Sequence, residues 1–151
     1  MGASRKKSKK PSGTKAEQLL ESSTFFTNEC LGHSVPTNLR ASGLIVEFWD
    51  SHFKPGTLDV DWLPVVGENN WLVLTKDSAI RRKSGEMNRI MACGVRLFTL
   101  PNGNTTAEQM VQIFLENRWR MIHAALKNPG PFIATVYRDC VEIKSGGSKG
   151  D

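Results

Sequence analysis

The sequence predicts an α/β domain with three layers, α/β/α, a mostly parallel central sheet and an antiparallel hairpin at its carboxyl-terminal edge. Short apolar runs rich in β-forming residues alternate with segments of helical periodicity, which is typical of parallel strands joined by helices. The last two β-rich runs flank a short turn at Arg138-Asp139, which predicts the hairpin. With 151 residues, 39% of them hydrophobic, the chain is long enough to bury one core.

Four apolar runs predict the parallel strands, and three helical segments predict their connections. The strands are predicted at residues 24–27, 44–49, 71–75 and 95–100. The helices between them are predicted at residues 35–42, 59–66 and 84–92. The first of these helices has Pro36 in its first turn and stops before Gly43, which are common residues at the two ends of a helix.

A single long helix is predicted to follow the fourth strand. The segment from Thr105 to Glu108 fits a capping box, in which a Thr side chain caps the helix and a Glu three residues later reaches back. Apolar residues then recur with helical spacing until the helix-breaking run at residues 128–131. The final hairpin is predicted from residues 132–137 and 141–144.

The positive charge of the chain lies in its amino-terminal segment. Of the 20 Lys and Arg residues, six fall within residues 1–16, which contain no acid, so 14 remain against 15 Asp and Glu. The rest of the chain is therefore not a uniformly basic nucleic-acid binder. We predict a disordered basic tail at residues 1–17, one domain at residues 18–144 and a flexible tail at residues 145–151.

The composition argues against several other protein classes. Cys30, Cys93 and Cys140 are odd in number and lack C-x-x-C spacing, which disfavours a disulfide framework and a cysteine-based zinc site. No apolar segment follows the basic start as in a secretory signal, and no run approaches the ~18 apolar residues that span a membrane. The expectation is a cytoplasmic protein with reduced thiols and no membrane partner.

Polar residues follow three of the predicted strands at the point where each strand ends. They are Asn28 with Glu29, Asp50 and Asp77, and two further acids, Asp59 and Asp61, begin the second helix. The carboxyl ends of parallel strands meet at one edge of a sheet, and convergent oxygens there suit a hard cation, Mg²⁺ or Mn²⁺. Single acids at such positions also cap helices, so the pattern by itself leaves a metal site and a structural role open.

Several segments of the chain resemble the PIN-like domain of VapC-type toxins. The matching segments are FFTNECLG, VPTNLRASG and FWDSHFKPGTLDVDWLPVVGENNWLVLTKDSAIRR, followed by GVRLFTL, TTAEQM and PGPFIATVYRD. Together they cover residues 24–143, almost all of the predicted domain, and the piece WLPVVGENNWLVLTKD is quite specific.

The resemblance implies a metal-dependent endoribonuclease that is the toxin of a toxin–antitoxin pair. The family's acids bind Mg²⁺ or Mn²⁺ at the sheet edge, and the ion activates a water that attacks an RNA phosphodiester. The implied partners are an RNA substrate, a cognate antitoxin and, in a homodimer, a second copy of the chain. Carried over by position, the metal-binding and catalytic residues are Asn28, Asp59 and Asp77, and Asp61 is a further catalytic residue. The substrate-binding candidates come from their place in the sequence: His52 is on a loop that would border the pocket, and Arg81 and Arg82 follow Asp77 closely. The two arginines suit RNA phosphates, and a solvated charged face is the alternative that stays open.

One residue departs from the family's pattern. The family has Asp at the end of the first strand, whereas this chain has Asn28, which offers an oxygen without a negative charge. Loss of one charge weakens or inactivates a site for a hard cation. Three accounts stay open: a natural pseudonuclease, a substitution by Glu29, or an Asn introduced to silence a toxic enzyme.

Two other functions stay open beside the nuclease. A non-catalytic module on the same fold would bind RNA without metal and would not cleave it, even with Asp at position 28. A partner-binding protein would instead hold an antitoxin-like segment in the same groove, with an Arg or Lys among the acids. Convergence of Asn28 with Asp50, Asp59, Asp61 and Asp77 is the feature that would favour the nuclease.

Overall fold

A computed structural model describes residues 23–76, 84–101 and 105–146, and in these ranges the chain forms one six-stranded sheet. The strands are β1 (Thr24–Thr27), β2 (Ile45–Phe48), β3 (Leu72–Thr75), β4 (Arg96–Thr99), β5 (Phe132–Val136) and β6 (Val141–Gly146). Their order across the sheet is β2-β1-β3-β4-β5-β6. The first five strands pair in parallel, and β6 pairs antiparallel with β5. The predicted fold class, with its antiparallel hairpin at the edge, is confirmed.

Helices cover both faces of the sheet. They are α1 (Ser34–Ala41), α2 (Asp59–Asn69), α3 (Ser84–Ala92), α4 (Ala107–Glu116) and α5 (Arg118–Lys127). Successive residues of a strand point to opposite faces, so Phe25 and Phe26 of β1 enter two separate cores, and both are fully buried. The core around Phe25 includes residues of α1, α4 and α5, and the core around Phe26 includes residues of α2 and α3. None of the helices described is long and apolar enough to cross a membrane.

The order of the strands reverses at β1, which lies between β2 and β3. The helix that follows β1 in the chain, α1, packs on one face of the sheet, and the helix that follows β3, α3, packs on the other face. In α/β proteins, ligands commonly bind in a crevice at such a reversal, which here falls at the carboxyl ends of β1 and β3. Asn28 directly follows β1, and its backbone N–H donates to the carbonyl of Leu74 in β3 (3.0 Å).

The capping box predicted at Thr105 and Glu108 was wrong by one residue. Thr106 is the N-cap of α4: its Oγ1 accepts from the backbone N–H of Gln109 (3.1 Å), and Gln109 Oε1 accepts from the backbone N–H of Thr106 (2.9 Å). Gln serves in this motif as well as Glu, so the sequence offered two registers. The second helix, α2, also runs past its predicted end at residue 66, to Asn69, and ends where Asn70 takes a left-handed φ of 57°.

The single long helix predicted after β4 was also wrong, because the chain forms α4 and α5 with a break at Asn117. The Asn117 side chain is fully buried, and its Nδ2 donates to the carbonyls of Ile113 (2.8 Å), Tyr137 (2.9 Å) and Arg138 (3.3 Å). Its Oδ1 accepts from Arg120 Nη1 (3.0 Å). Tyr137 and Arg138 lie in the turn between β5 and β6, so one amide joins the helix break to the terminal hairpin.

The substitution Asn117→Asp should destabilise the domain. The carboxylate has the shape of the amide but cannot donate to the three carbonyls, and a buried acceptor that loses its partner costs about 1–3 kcal/mol. We expect the free energy of unfolding, measured by urea denaturation, to fall by about 3 kcal/mol. Asn38→Asp is the control, because Asn38 also donates to the carbonyl four residues earlier (2.8 Å) but is exposed. An equal loss in the two variants would contradict the role given to Asn117.

Helix α2 passes close to the end of α3 at Gly67, and this close contact should require that position 67 has no side chain. A Cβ atom at this position would lie 2.0 Å from the carbonyl oxygen of Cys93, so Gly67→Ala should lower the free energy of unfolding by about 2 kcal/mol, although Ala favours helices. The space around Gly85 in α3 is open, so Gly85→Ala should change stability by less than about 1 kcal/mol. Thermal unfolding compares the two variants, and a fully stable Gly67→Ala would rule out the close approach.

Candidate active site

Asn28 lies at the carboxyl end of β1 and is half-buried. Its Oδ1 accepts a hydrogen bond from the backbone N–H of Cys30 (3.0 Å) and so caps the short 3₁₀ turn Glu29–Leu31. The amide nitrogen of this side chain can only donate. At the carboxyl end of β1, Asn28 is therefore a neutral group whose oxygen already has a backbone partner.

The two residues after Asn28 hold the loop that follows β2 and the end of β3. The exposed Glu29 accepts from the backbone N–H of Gly56 with both carboxylate oxygens, at 3.1 and 3.2 Å. The Sγ of Cys30 lies 3.2 Å from the Oγ1 of Thr75, the last residue of β3. The account in which Glu29 replaces a missing Asp at position 28 therefore needs this carboxylate to leave Gly56.

Asp59 and Asp61 lie in the first turn of α2, where Leu58 is the N-cap residue. Asp59 is half-buried, and its Oδ1 accepts from the indole Nε1 of the buried Trp62 (3.0 Å). Asp61 is exposed. Both negative charges are favourable at the positive end of the helix dipole. Asp59 thus has a structural hydrogen bond in addition to its place at the start of the helix.

Asp50 lies in a cleft at the carboxyl ends of β1 and β2. This cleft has a volume of about 250 Å³ and is lined by Glu29, Gly32, His33, Phe48, Trp49, Asp50 and Pro55. The Nε2 of His33 lies 2.5 Å from the Oδ2 of Asp50. The carboxylate of Asp50 is therefore paired with a histidine across the cleft.

His52 contacts the aromatic core beside the edge strand β2. Its Nε2 lies 2.6 Å from Glu47 Oε1, and the centre of its ring lies 4.9 Å from that of Trp71. The ring of Phe26 is also close, with centroids 6.4 Å apart. The structure thus brings His52 together with Glu47 rather than with Asp50, the acid two residues before it.

Three of the predicted site residues, Asp77, Arg81 and Arg82, lie outside the described residues, with Asp77 two positions after the end of β3. Within residues 23–76, 84–101 and 105–146, no three His, Cys, Asp or Glu side chains form a group that could hold a metal ion. The described residues by themselves therefore do not make a metal site. Such a site needs a further ligand from outside them.

Two cations away from Asn28 have shifted pKa values. Burial lowers the pKa of Arg96, at the start of β4, whose Nη2 donates to the carbonyl of Asn70 (3.0 Å). The hydrogen bond with Glu142 raises the pKa of Lys144 on β6. Neither cation lies at the carboxyl end of β1, where Asn28 is.

Sequence reasoning missed the contacts that hold this end of the sheet together. The hydrogen bond that Glu29 accepts from Gly56 joins residues 27 positions apart. The contact between Cys30 and Thr75 joins residues 45 positions apart. No local pattern in the sequence signals such pairs. The only available sign was the Pro55-Gly56 turn, where Gly56 has a φ of 80°.

Comparison with known proteins agrees with this fold. The pattern of the family described as PIN like domain matches residues 23–102, more than half of the chain. A relative, "Putative ribonuclease VapC45" of Mycobacterium tuberculosis (strain ATCC 25618 / H37Rv), is 30% identical over 118 residues, which cover 75% of this chain and 85% of the relative. No solved structure matches the chain significantly. The chain therefore belongs to the PIN-like domain family, among the VapC-type toxin–antitoxin ribonucleases.

Proposed function

We propose that this protein is a metal-dependent endoribonuclease and the toxin of a toxin–antitoxin pair, weakened or silenced by Asn28. Membership of the PIN-like family carries this proposal, and the relative that matches most of the chain is named a ribonuclease. The reversal of strand order between β1 and β3 supports a site at this edge of the sheet, because ligands commonly bind at such a point in α/β proteins.

The metal ligands in this proposal are Asn28, Asp59 and Asp77, with Asp61 as a further catalytic residue. A bound divalent cation would lower the pKa of a water molecule and neutralise charge on the RNA phosphate. Asn28 would contribute a neutral oxygen, and Asp59 a charged one whose orientation is supported by the Trp62 indole (3.0 Å). Asp77 would contribute a second charged oxygen, and the charge missing at Asn28 would remain missing.

RNA and an antitoxin are the partners in this proposal, and the cytoplasm is its location. Arg81 and Arg82 would bind RNA phosphates, which position a strand without reading its sequence. His52 would take part through the ring nitrogen that does not face Glu47. A cognate antitoxin would cover the crevice and keep RNA out.

A non-catalytic RNA-binding or partner-binding protein on the same fold is the second candidate. The neutral Asn28 favours it, because the oxygen of this side chain is engaged with the N–H of Cys30 and carries no charge. Such a protein would bind its partner without a divalent cation. It would also fail to cleave RNA after Asn28→Asp.

The substitution Asn28→Asp should start RNA cleavage. An Asp at this position can keep the cap on Cys30 with one oxygen and offer a second, charged oxygen to Mg²⁺ or Mn²⁺. We expect the cleavage rate of labelled total RNA to rise about 100-fold over the unchanged chain, which corresponds to about 2.7 kcal/mol of activation free energy. Chelation of the cation with EDTA should abolish the cleavage.

The control is the double variant Asn28→Asp, Asp77→Asn, which keeps the new carboxylate and removes a second one. We expect the single variant Asn28→Asp to cleave RNA and the double variant not to cleave it. Cleavage by the unchanged chain that depends on Asp77 would instead make Asn28 a tolerated ligand. If no version cleaves total RNA or transfer RNA with either cation, the non-catalytic candidate replaces the nuclease.

The substitution Asp59→Asn, made in the Asn28→Asp background, tests the second carboxylate. The amide oxygen can still accept from Trp62, so the local packing is kept while the charge is lost. We expect cleavage to fall by a factor of about 10 or more and the Mg²⁺ concentration needed for half of the maximal rate to rise. Glu68→Gln, exposed on the same helix, is the matched control. Equal rates in the two variants would exclude Asp59 from the centre.

A further inference from the structure

The short turn Glu29–Leu31, which directly follows Asn28, is attached to the sheet and to the core by its side chains. Its last residue, Leu31, is buried in the core that α1, α4 and α5 share. Its middle residue, Cys30, places its Sγ 3.2 Å from the Oγ1 of Thr75. Within this turn, Cys30 thus provides a side-chain contact with β3.

Thr75 is a fixed partner for this contact. It is the last residue of β3 and is 2% exposed, and its Cα pairs with that of Thr99 in β4. Because β3 lies between β1 and β4, its backbone is held by hydrogen bonds on both sides. The contact with Cys30 therefore connects the turn after β1 to a fixed point on β3, two positions before Asp77.

Cys30 also orients the side chain of Asn28. The backbone N–H of Cys30 donates to Asn28 Oδ1 (3.0 Å), and the direction of this N–H depends on the conformation of the turn. A carboxylate at position 28 could keep one oxygen on the N–H, and the turn would then set the direction of its second oxygen. Cys30 thus contacts position 28 with its backbone and the end of β3 with its side chain.

We propose that Cys30 is a positioning residue of the metal centre, which sets the separation between the group at position 28 and the segment that carries Asp77. The inference rests on the proposed function, in which positions 28 and 77 supply metal ligands. Cys30 acts through these two ligands and does not touch the cation. Partners that orient metal ligands from outside the coordination sphere change metal affinity by about 10- to 100-fold when they are lost.

The contact between Cys30 and Thr75 should matter more for metal binding than for folding. Cys30 is exposed and a thiol is a weak hydrogen-bonding group, and exposed substitutions usually change stability little. A metal site, in contrast, needs its ligands within about 0.5 Å of the productive geometry. Loss of the thiol should therefore weaken metal binding while the free energy of unfolding stays nearly the same.

The substitution Cys30→Ala, made in the full chain with Asn28→Asp, tests the proposal. We would titrate the protein with Mn²⁺ and follow the paramagnetic resonance signal of the free ion, which reports binding without RNA and without cleavage. We expect the Kd for Mn²⁺ to rise about three- to tenfold, as for the loss of one weak hydrogen bond. Cys30→Ser, whose hydroxyl can take the place of the thiol, should stay within about twofold.

Cys140→Ala in the same background is the matched control, because Cys140 is a half-buried thiol in the turn between β5 and β6. It should leave the Kd for Mn²⁺ unchanged. The midpoint of urea unfolding, measured in EDTA, should be the same for Cys30→Ala as for this control. Weaker Mn²⁺ binding that comes with a lower midpoint would make Cys30 a structural residue and would overturn the proposal.

Thr75→Val tests whether Cys30 acts through the hydroxyl at position 75. In a protein that already carries Asn28→Asp and Thr75→Val, the addition of Cys30→Ala should change the Kd for Mn²⁺ by less than about twofold, because the contact is already lost. Equal weakening by Cys30→Ala with and without this hydroxyl would show that Cys30 acts elsewhere, and would overturn the proposal.

The outcomes distinguish this inference from the proposed nuclease. If Asn28→Asp binds Mn²⁺ and cleaves RNA but Cys30→Ala leaves the Kd unchanged, the nuclease stands and the role of Cys30 is wrong. If Asn28→Asp does not bind Mn²⁺ even at millimolar concentration, the chain has no metal centre to position, and the inference fails together with the nuclease.

Discussion

The burial of β1 on both faces and along both edges is the constraint on which the rest of the structure depends. Phe25 and Phe26 are fully buried in the cores on opposite sides of the sheet, and β1 pairs with β2 and with β3. Aromatic rings extend the core around Phe26, whose centroid lies 5.4 Å from Trp71 and 5.9 Å from Trp62. Strand order also reverses at β1, so the packing that stabilises the sheet places Asn28 where α/β proteins commonly bind ligands.

The side chains proposed for chemistry also hold local structure. Asn28 caps the turn that follows β1, and Asp59 accepts from the indole of Trp62. Asp and Asn both supply an acceptor oxygen of similar position, so an exchange between them keeps these bonds and changes only the charge. The PIN-like fold can therefore persist while its crevice gains or loses the charge that a hard cation requires.

Asn117 connects regions that are far apart in the chain. Its amide ends α4, accepts from Arg120 in α5 and holds the carbonyls of Tyr137 and Arg138 in the hairpin turn. A buried polar group with satisfied hydrogen bonds specifies one arrangement of its surroundings, because every alternative leaves it without partners. Asn117 thus joins the break between α4 and α5 to the turn between β5 and β6.

The sequence by itself determined the fold class and most element positions. Parallel strands buried on both faces appear as continuous apolar runs, and the apolar residues of a helix recur every three or four positions, so both patterns are local. It did not reveal the break at Asn117, since α4 and α5 both keep apolar residues in the same core. The sequence also showed the acids and the amide at the ends of strands, but it did not show which groups they form hydrogen bonds with. Only the tertiary structure decided that Glu29 contacts Gly56 and that His52 faces Glu47, because such hydrogen bonds depend on chain segments meeting in space.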